Sequence, residues 1–111
     1  MTSTKNRTLG KLLTTSNADI YTVPTRYVTE VTSIVVSNAS SSSTTFSLDW
    51  YDTTTSTWYT IAELVSLKPN SILQITHCFM LQAGDKFRGL AGAADAITVS
   101  IRVEEAYSVV N

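Results

Sequence analysis

The sequence predicts an all-β domain, a single antiparallel β-sandwich of seven to eight strands in a jelly-roll-like or immunoglobulin-like arrangement. Residues 27–38 form a long β-branched run (YVTEVTSIVVSN), and residues 44–51 and 96–104 alternate apolar and polar side chains. Turn residues separate such segments along the whole chain, and no segment shows the 3.6-residue period of a helix. Alternation of this kind places one side of a strand in a core and the other at a surface.

The length favours a single domain, and the composition favours a subunit that contacts other proteins. A chain of 111 residues is long enough for a single core. We predict an N-terminal arm over residues 1–7, flexible or bound to a partner, a sandwich over residues 8–106 and a tail over residues 107–111. Only 15% of the residues are charged, whereas 18 are Thr and 14 are Ser. Charged side chains normally keep a solitary protein soluble, so this composition favours a subunit of an assembly.

Charge and cysteine content argue against several classes of protein. The net charge of −1 and the pI of about 5.7 provide no basic field for nucleic acid or an anionic membrane. The single Cys78 excludes an internal disulfide framework. No apolar stretch approaches the roughly 20 residues of a membrane span, and the N-terminus lacks the apolar segment of a secretion signal. We therefore expect synthesis in the cytosol and neither nucleic acid nor membrane as a partner.

The first strands lead into the long central one. Residues 8–15 form a short apolar segment suited to an edge strand, and residues 20–23 form a second strand that stops at Pro24, which cannot donate to a ladder. Read with a strict period of two, residues 27–38 carry apolar side chains on both faces in their second half. A strand of this kind is expected to be covered on both sides. Val31 and Val35 therefore become candidates for a contact between subunits.

Residues 44–51 and 57–65 are predicted to form a hairpin that ends in an aromatic cluster. Trp50 shares a face with the apolar residues of its strand and is expected in the core, whereas Tyr51 and either Trp58 or Tyr59 are expected on the outer face. Aromatic cross-strand pairs commonly fix the register of a hairpin. The end of the second strand, residues 61–67, is also compatible with one helical turn.

The second half of the chain supplies three further strands. Residues 71–76 form one strand, extending to residue 81, and Gly84-Asp85 then forms a turn that needs a positive φ at the glycine. Residues 85–91 form the next strand, and residues 96–104 form the last one. Its inner row is predicted to be Ile97, Val99, Ile101 and Val103. Glu104 and Glu105 are expected to be solvated residues that protect its end.

No set of residues predicts catalysis, a cofactor or a metal. His77 and Cys78 are adjacent, and adjacent strand residues point to opposite faces, so they are not expected to form a thiolate–imidazole pair. Without a second His, the usual zinc and nucleophile–base sets are not available. We expect Cys78 in the core and His77 at the surface. Asp49 and Asp52 are expected on a wet face and in a turn, as ordinary structural residues.

The order of these features resembles a known class of proteins. The segment IYTVP (20–24) leads into the β-branched strand, a Ser/Thr-rich hairpin follows, and LQAGD (81–85) precedes the terminal alternating strand. Over residues 18–105 this order is similar to small β-sandwich virion proteins of tailed bacteriophages. The resemblance implies a non-enzymatic virion subunit that decorates the capsid or lies in the neck or tail, and that works as a ring or trimer. It carries over no individual binding residue.

The leading prediction is therefore a subunit that self-associates and binds other virion proteins through its sandwich faces, its edge strands and its N-terminal arm. The candidate interface residues are Tyr51, Trp58, Tyr59, Val31, Val35, Lys5 and Arg7. The alternative prediction is a carbohydrate- or receptor-binding module, because exposed aromatic rings such as those of the Trp/Tyr hairpin stack against sugars.

Overall fold

A computed structural model describes residues 4–107, which form nine β-strands in two packed antiparallel sheets. The strands are β1 (Thr4–Leu12), β2 (Ala18–Thr22), β3 (Tyr27–Asn38), β4 (Thr44–Asp52), β5 (Thr57–Leu67), β6 (Ser71–Ile75), β7 (Phe79–Leu81), β8 (Lys86–Ala91) and β9 (Ile97–Tyr107). Sheet A has the order β1-β9-β3-β6, with β7 also paired to β3, and sheet B has the order β2-β8-β4-β5. The predicted sandwich is confirmed.

The strand order is that of a jelly roll and not of an immunoglobulin domain. The chain crosses between the sheets at nearly every connection, so that strands distant in sequence become neighbours in each sheet. Nine strands are present instead of eight because the predicted strand over residues 71–81 is interrupted at residues 76–78. β6 and β7 are thus two pieces of one edge of sheet A, and both pair with β3.

The core lies between the two sheets. Ile97, Val99, Ile101 and Val103 of β9 are each at most 1% exposed, which confirms the predicted inner row. Phe46 of β4 faces them from sheet B and is also fully buried. Burial of this many aliphatic and aromatic side chains is the main favourable contribution to folding.

A β-bulge in β3 places the buried apolar residues of that strand on one face. Its register against β9 shifts between Val31 and Ser33, so Thr32 is the extra residue. Val31 before the bulge is 0% exposed and Ile34 after it is 1% exposed. The strict alternation assumed from the sequence ignored the bulge. Val31 is therefore removed from the candidate interface, whereas Val35 is only partly buried and faces outward.

The first strand begins earlier than predicted. β1 pairs with β9 from Thr4, opposite Ala106, to Leu12, opposite Thr98. Residues 4–7, predicted as part of an arm, instead form the first half of β1. Residues 1–3 of the predicted arm and 108–111 of the predicted tail lie outside the described residues, and Tyr107 ends β9.

Two local conformations bear on the hairpin and turn predictions. Gly84 has φ of 89°, which confirms the predicted positive angle in the turn before β8. The helical turn considered for residues 61–67 is not formed, because β5 continues to Leu67. β5 is irregular nevertheless: Leu64 has φ of 50°, and the β4–β5 register shifts twice.

Candidate interaction surfaces

The outer face of sheet B carries a cluster of two aromatic rings and two cations, hereafter the aromatic–cation cluster: Tyr51, Trp58, Lys86 and Arg88. Tyr51 and Trp58 are directly opposed in the hairpin register, and their ring centroids lie 5.0 Å apart at an interplanar angle of 54°. β8 adds Lys86, whose Nζ lies 5.6 Å from the Tyr51 centroid and 5.5 Å from the Trp58 centroid. The Arg88 Cζ lies 3.9 Å from the Trp58 centroid, within cation–π range.

Both cations of this cluster are also paired with carboxylates. Arg88 Nε donates to Asp49 Oδ2 at 3.0 Å, and Lys86 Nζ lies 3.7 Å from Asp19 Oδ2. Together with these two carboxylates, the cluster is close to electrically neutral. The Arg88 guanidinium lies over one face of the Trp58 ring, so that face is not free to stack a sugar. Arg, Trp and Tyr are also the residue types enriched at protein–protein hot spots.

The other two hairpin aromatics lie on the opposite side of sheet B. Trp50 and Tyr59 are cross-strand neighbours with centroids 5.3 Å apart at 29°. Trp50 packs against the core, as predicted, while Tyr59 remains 41% exposed because β5 is an edge strand. The register therefore selects Trp58, and not Tyr59, as the outward partner of Tyr51.

Asp85 fixes the end of the hairpin to the turn before β8. Its Oδ1 accepts hydrogen bonds from the Thr53 backbone N–H at 2.9 Å and from Thr53 Oγ1 at 2.8 Å, and its Oδ2 accepts from the Gln82 N–H at 3.0 Å. Asp85 is only 5% exposed. A buried carboxylate with three donors of this kind locks two loops together. It thereby positions the strands that carry the aromatic–cation cluster.

A buried polar network lies at one end of the sandwich, between the two sheets. Tyr21 Oη donates to Glu105 Oε2 at 2.6 Å and lies 2.8 Å from Thr29 Oγ1, while Arg7 Nη1 donates to Glu105 Oε1 at 3.3 Å. Glu105 is 1% exposed, so the expectation of a solvated residue was wrong. Burial, together with the hydrogen bond to Glu105, raises the pKa of the Tyr21 phenol above its ordinary value.

The two basic residues proposed for the interface differ in their surroundings. Both lie on β1 and face the inner side of sheet A, because they pair with inward-facing positions of β9. Arg7 contacts Glu105, while its side chain remains 44% exposed. Lys5 is exposed. Arg7 therefore has a structural contact that its position in a polar segment did not reveal.

The outer face of sheet A has an uncharged half. The registers of β1, β9, β3 and β6 align two successive outward rows, and neither row contains Asp, Glu, Lys or Arg. The rows are Leu12, Thr98, Ser37, Ile72 and Gly10, Ser100, Val35, Gln74. The candidate residue Val35 lies in the second row. Such a face of hydroxyl and aliphatic side chains has little charge to keep it apart from another protein surface.

His77 and Cys78 lie in the interruption between β6 and β7, and both are exposed. The expectation of a buried Cys78 was wrong, because the chain leaves the strand there and no longer alternates between core and solvent. Within residues 4–107 no three His, Cys, Asp or Glu side chains are grouped closely enough to hold a metal ion. The same range has no helix long and apolar enough to cross a membrane.

Comparison with known proteins gives a likeness in structure but not in sequence. No protein-family model matches the chain, and no curated protein matches it. A chain of the Bacillus endospore appendages, described as a family of disulfide-linked pili, superposes with a TM-score of 0.57 at 14% identity, covering 98% of this chain and 89% of that one. At this identity the likeness supports the β-sandwich fold alone.

A second similar structure is a chain of infectious bursal disease virus, Gx strain. Its TM-score is 0.42 at 9% identity, and the match covers 96% of this chain but only 40% of the viral one. This TM-score is too low to show that the two chains share a fold.

Proposed function

We propose that this chain is a non-enzymatic structural subunit of a larger protein assembly, and specifically a self-associating virion subunit of a tailed bacteriophage, in the capsid, neck or tail. The observation that carries the proposal is the surface of the sandwich. Sheet A presents an uncharged outer half, and sheet B presents Tyr and Trp rings beside Arg and Lys side chains that are paired with carboxylates. Both are surfaces that suit contacts with other proteins.

The likeness to the Bacillus appendage chain supports the coarser part of this proposal. That protein belongs to pili, which are repetitive assemblies, and this chain shares its fold. A repetitive assembly multiplies one modest interface many times, so individual contacts need not be strong. This chain contributes one thiol, Cys78, and one thiol per subunit links at most two subunits. Polymerisation of this chain would therefore rely on non-covalent contacts.

The test of this function is the state of the purified protein and its place in particles. Light scattering after size-exclusion chromatography should give a defined oligomer, and negative-stain microscopy should show rings or extended polymers at high concentration. Quantitative mass spectrometry of phage particles from the organism that carries the gene should detect the chain in many copies. A monomer at every concentration, absent from such particles, would contradict the proposal.

The carbohydrate-binding alternative rests on the outward pair Tyr51 and Trp58. A glycan array separates it from the structural role: a sugar ligand lost in Trp58→Ala would favour the binding module. In that case Arg88 must move off the Trp58 ring to admit the sugar, so Arg88→Ala should strengthen glycan binding. We expect no glycan signal from the wild-type protein.

A further inference from the structure

We propose that the β6–β7 edge of sheet A pairs with the same edge of a second copy of this chain, antiparallel about a twofold axis. The pairing would join two copies of sheet A into one continuous sheet. The inference rests on the proposed self-association and adds to it the surface, the partner and the symmetry. Strand addition at a sheet edge is a common mode of protein association.

The other three sheet edges carry features that discourage strand addition. β1 bears three basic residues, Lys5, Arg7 and Lys11, which face the inner side of sheet A. β2 has a register irregularity directly after Asp19. β5 has two register shifts and a non-glycine residue, Leu64, at positive φ. Edge charges, inward-facing charges and bulges are the devices by which proteins protect an edge.

The β6–β7 edge carries neither charge nor proline. From Ser71 to Leu81 it contains no Asp, Glu, Lys, Arg or Pro, and its irregularity is confined to the break at residues 76–78 between two strands that each pair regularly with β3. Ile72 is 70% exposed and Met80 is 65% exposed. Within residues 4–107, four of the five large exposed apolar side chains lie on β5–β7, and only Leu12 lies on a different strand. The β6–β7 edge itself therefore combines exposed apolar side chains with an absence of charge.

The positions of the exposed residues are self-complementary. Ile72 pairs with Ser37 and Met80 with Glu30, and both β3 residues face outward, so Ile72 and Met80 share the outer face. A twofold axis midway between them, at the break over residues 76–78, places Ile72 opposite Met80 of the second copy, and Met80 opposite its Ile72. Directly opposed residues of antiparallel strands share a face. Each exposed apolar side chain thus covers the other.

The length of the edge limits what backbone pairing contributes. β6 has five residues and β7 has three, whereas stable interfaces bury about 1,200–2,000 Å² in total. Because β6 and β7 are short, their backbone hydrogen bonds are few and the apolar contacts must supply the rest.

Disulfide trapping tests this geometry at the two opposed strand positions. The twofold axis places Ile72 opposite Met80 of the second copy, at a Cα separation of about 4.5–5.5 Å that suits a disulfide. In a Cys78→Ser background, Ile72→Cys/Met80→Cys should form a covalent dimer under mild oxidation, visible on a non-reducing gel. Either cysteine alone in that background should stay uncross-linked, because like positions lie at opposite ends of the paired edges. Failure of the double variant to cross-link would overturn the twofold pairing.

A matched variant distinguishes a dimer from a head-to-tail chain. Leu12→Cys introduces a thiol on the opposite edge of sheet A, where twofold pairing of β6–β7 leaves it far from Cys78 of the second copy. We expect no cross-linked product. A ladder of covalent oligomers from Leu12→Cys would instead mean that the β1 edge of one copy contacts the β6–β7 edge of the next, and would overturn the proposed symmetry.

Charge insertion separates this inference from the proposed function. The double variant Ile72→Lys/Met80→Lys should be monomeric by light scattering, while Leu64→Lys, at an exposed leucine of β5, keeps the wild-type oligomeric state, and circular dichroism should show both folded. Association of the double variant equal to the wild type would overturn the pairing but leave a self-associating subunit. A wild-type protein that is itself monomeric at every concentration would overturn both.

Discussion

At the scale of single residues, the polar side chains inside this sandwich are hydrogen-bonded to one another. Glu105 has bonds from a tyrosine of sheet B and an arginine of sheet A, and Tyr21 contacts both Glu105 and Thr29. No buried side-chain nitrogen or oxygen of residues 4–107 lacks a partner. An unsatisfied buried polar group costs about 1–3 kcal/mol, so removing one member affects the others.

The raised pKa of Tyr21 predicts a loss of stability in alkaline solution. The folded protein retains the phenol proton at pH values where the unfolded chain, with an ordinary pKa of about 10, has released it. The contribution of the Tyr21 phenol to the free energy of unfolding is therefore fully present below about pH 10 and declines as the pH rises above that value. Urea denaturation between about pH 9 and 11 should show a steeper decline for the wild type than for Tyr21→Phe.

Tyr59→Phe serves as the control for that measurement, because it also removes a phenol, from a side chain that is 41% exposed. The free energy of unfolding of Tyr59→Phe should decline with pH as that of the wild type does. Equal slopes for the wild type and Tyr21→Phe would mean that the Tyr21 phenol titrates alike in the folded and unfolded chains.

The inner row of β9 gives a second prediction for a single residue. Ile101 is 1% exposed between the sheets, and Ile101→Ala should lower the free energy of unfolding by about 2–5 kcal/mol through lost burial and the cavity left behind. Ser100→Ala, on the outer face of the same strand, should change it by less than about 0.5 kcal/mol. Chemical denaturation compares the two, and similar small losses would contradict the assigned faces.

At the scale of elements, β1 is a structural strand and not an arm. Deleting residues 1–7 removes four paired residues of β1 together with the Arg7–Glu105 contact, whereas deleting residues 1–3 leaves all of β1 in place. We expect the longer deletion to lower the free energy of unfolding by about 1–3 kcal/mol, since it leaves Glu105 with one donor fewer. Thermal denaturation of both truncations is the measurement, and equal stability would contradict this role for β1.

Two-residue alternation predicted the elements well where the strands are regular. It identified the inner row of β9 from Ile97 to Val103, the β4–β5 hairpin and the outward position of Tyr51. It failed at β3, because nothing in YVTEVTSIVVSN marks Thr32 as the extra residue of a bulge. The network around Glu105 was also missed, since its partners Tyr21 and Arg7 are 84 and 98 residues away in sequence.

Only the aromatic half of the aromatic–cation cluster was predicted. Tyr51 and Trp58 are close in sequence, and two-residue alternation left open only whether Trp58 or Tyr59 faces outward. Lys86 and Arg88 come from β8, which lies beside β4 only because the jelly roll brings distant strands together. Alternation within one segment carries no information on which strands become neighbours.

At the scale of the whole molecule, the β6–β7 edge that is proposed to pair contains no Asp, Glu, Lys or Arg. The association should therefore depend little on salt, because screening acts on charged groups. We expect the dimer dissociation constant to change by less than about threefold between about 0.05 and 0.5 M sodium chloride, and sodium sulfate to strengthen association. Analytical ultracentrifugation measures both. A dissociation constant that rises about tenfold or more with sodium chloride would point instead to the charged surface around Lys86 and Arg88.

The pairing of the first strand with the last one also governs when this fold is completed during synthesis. Thr4 lies opposite Ala106, so β1 has no partner in sheet A until β9 has left the ribosome. Contacts between such distant segments close slowly. β1 therefore stays unpaired until β9 is made and β2 until β8 is made, so the sandwich is completed only after β9 has been synthesised.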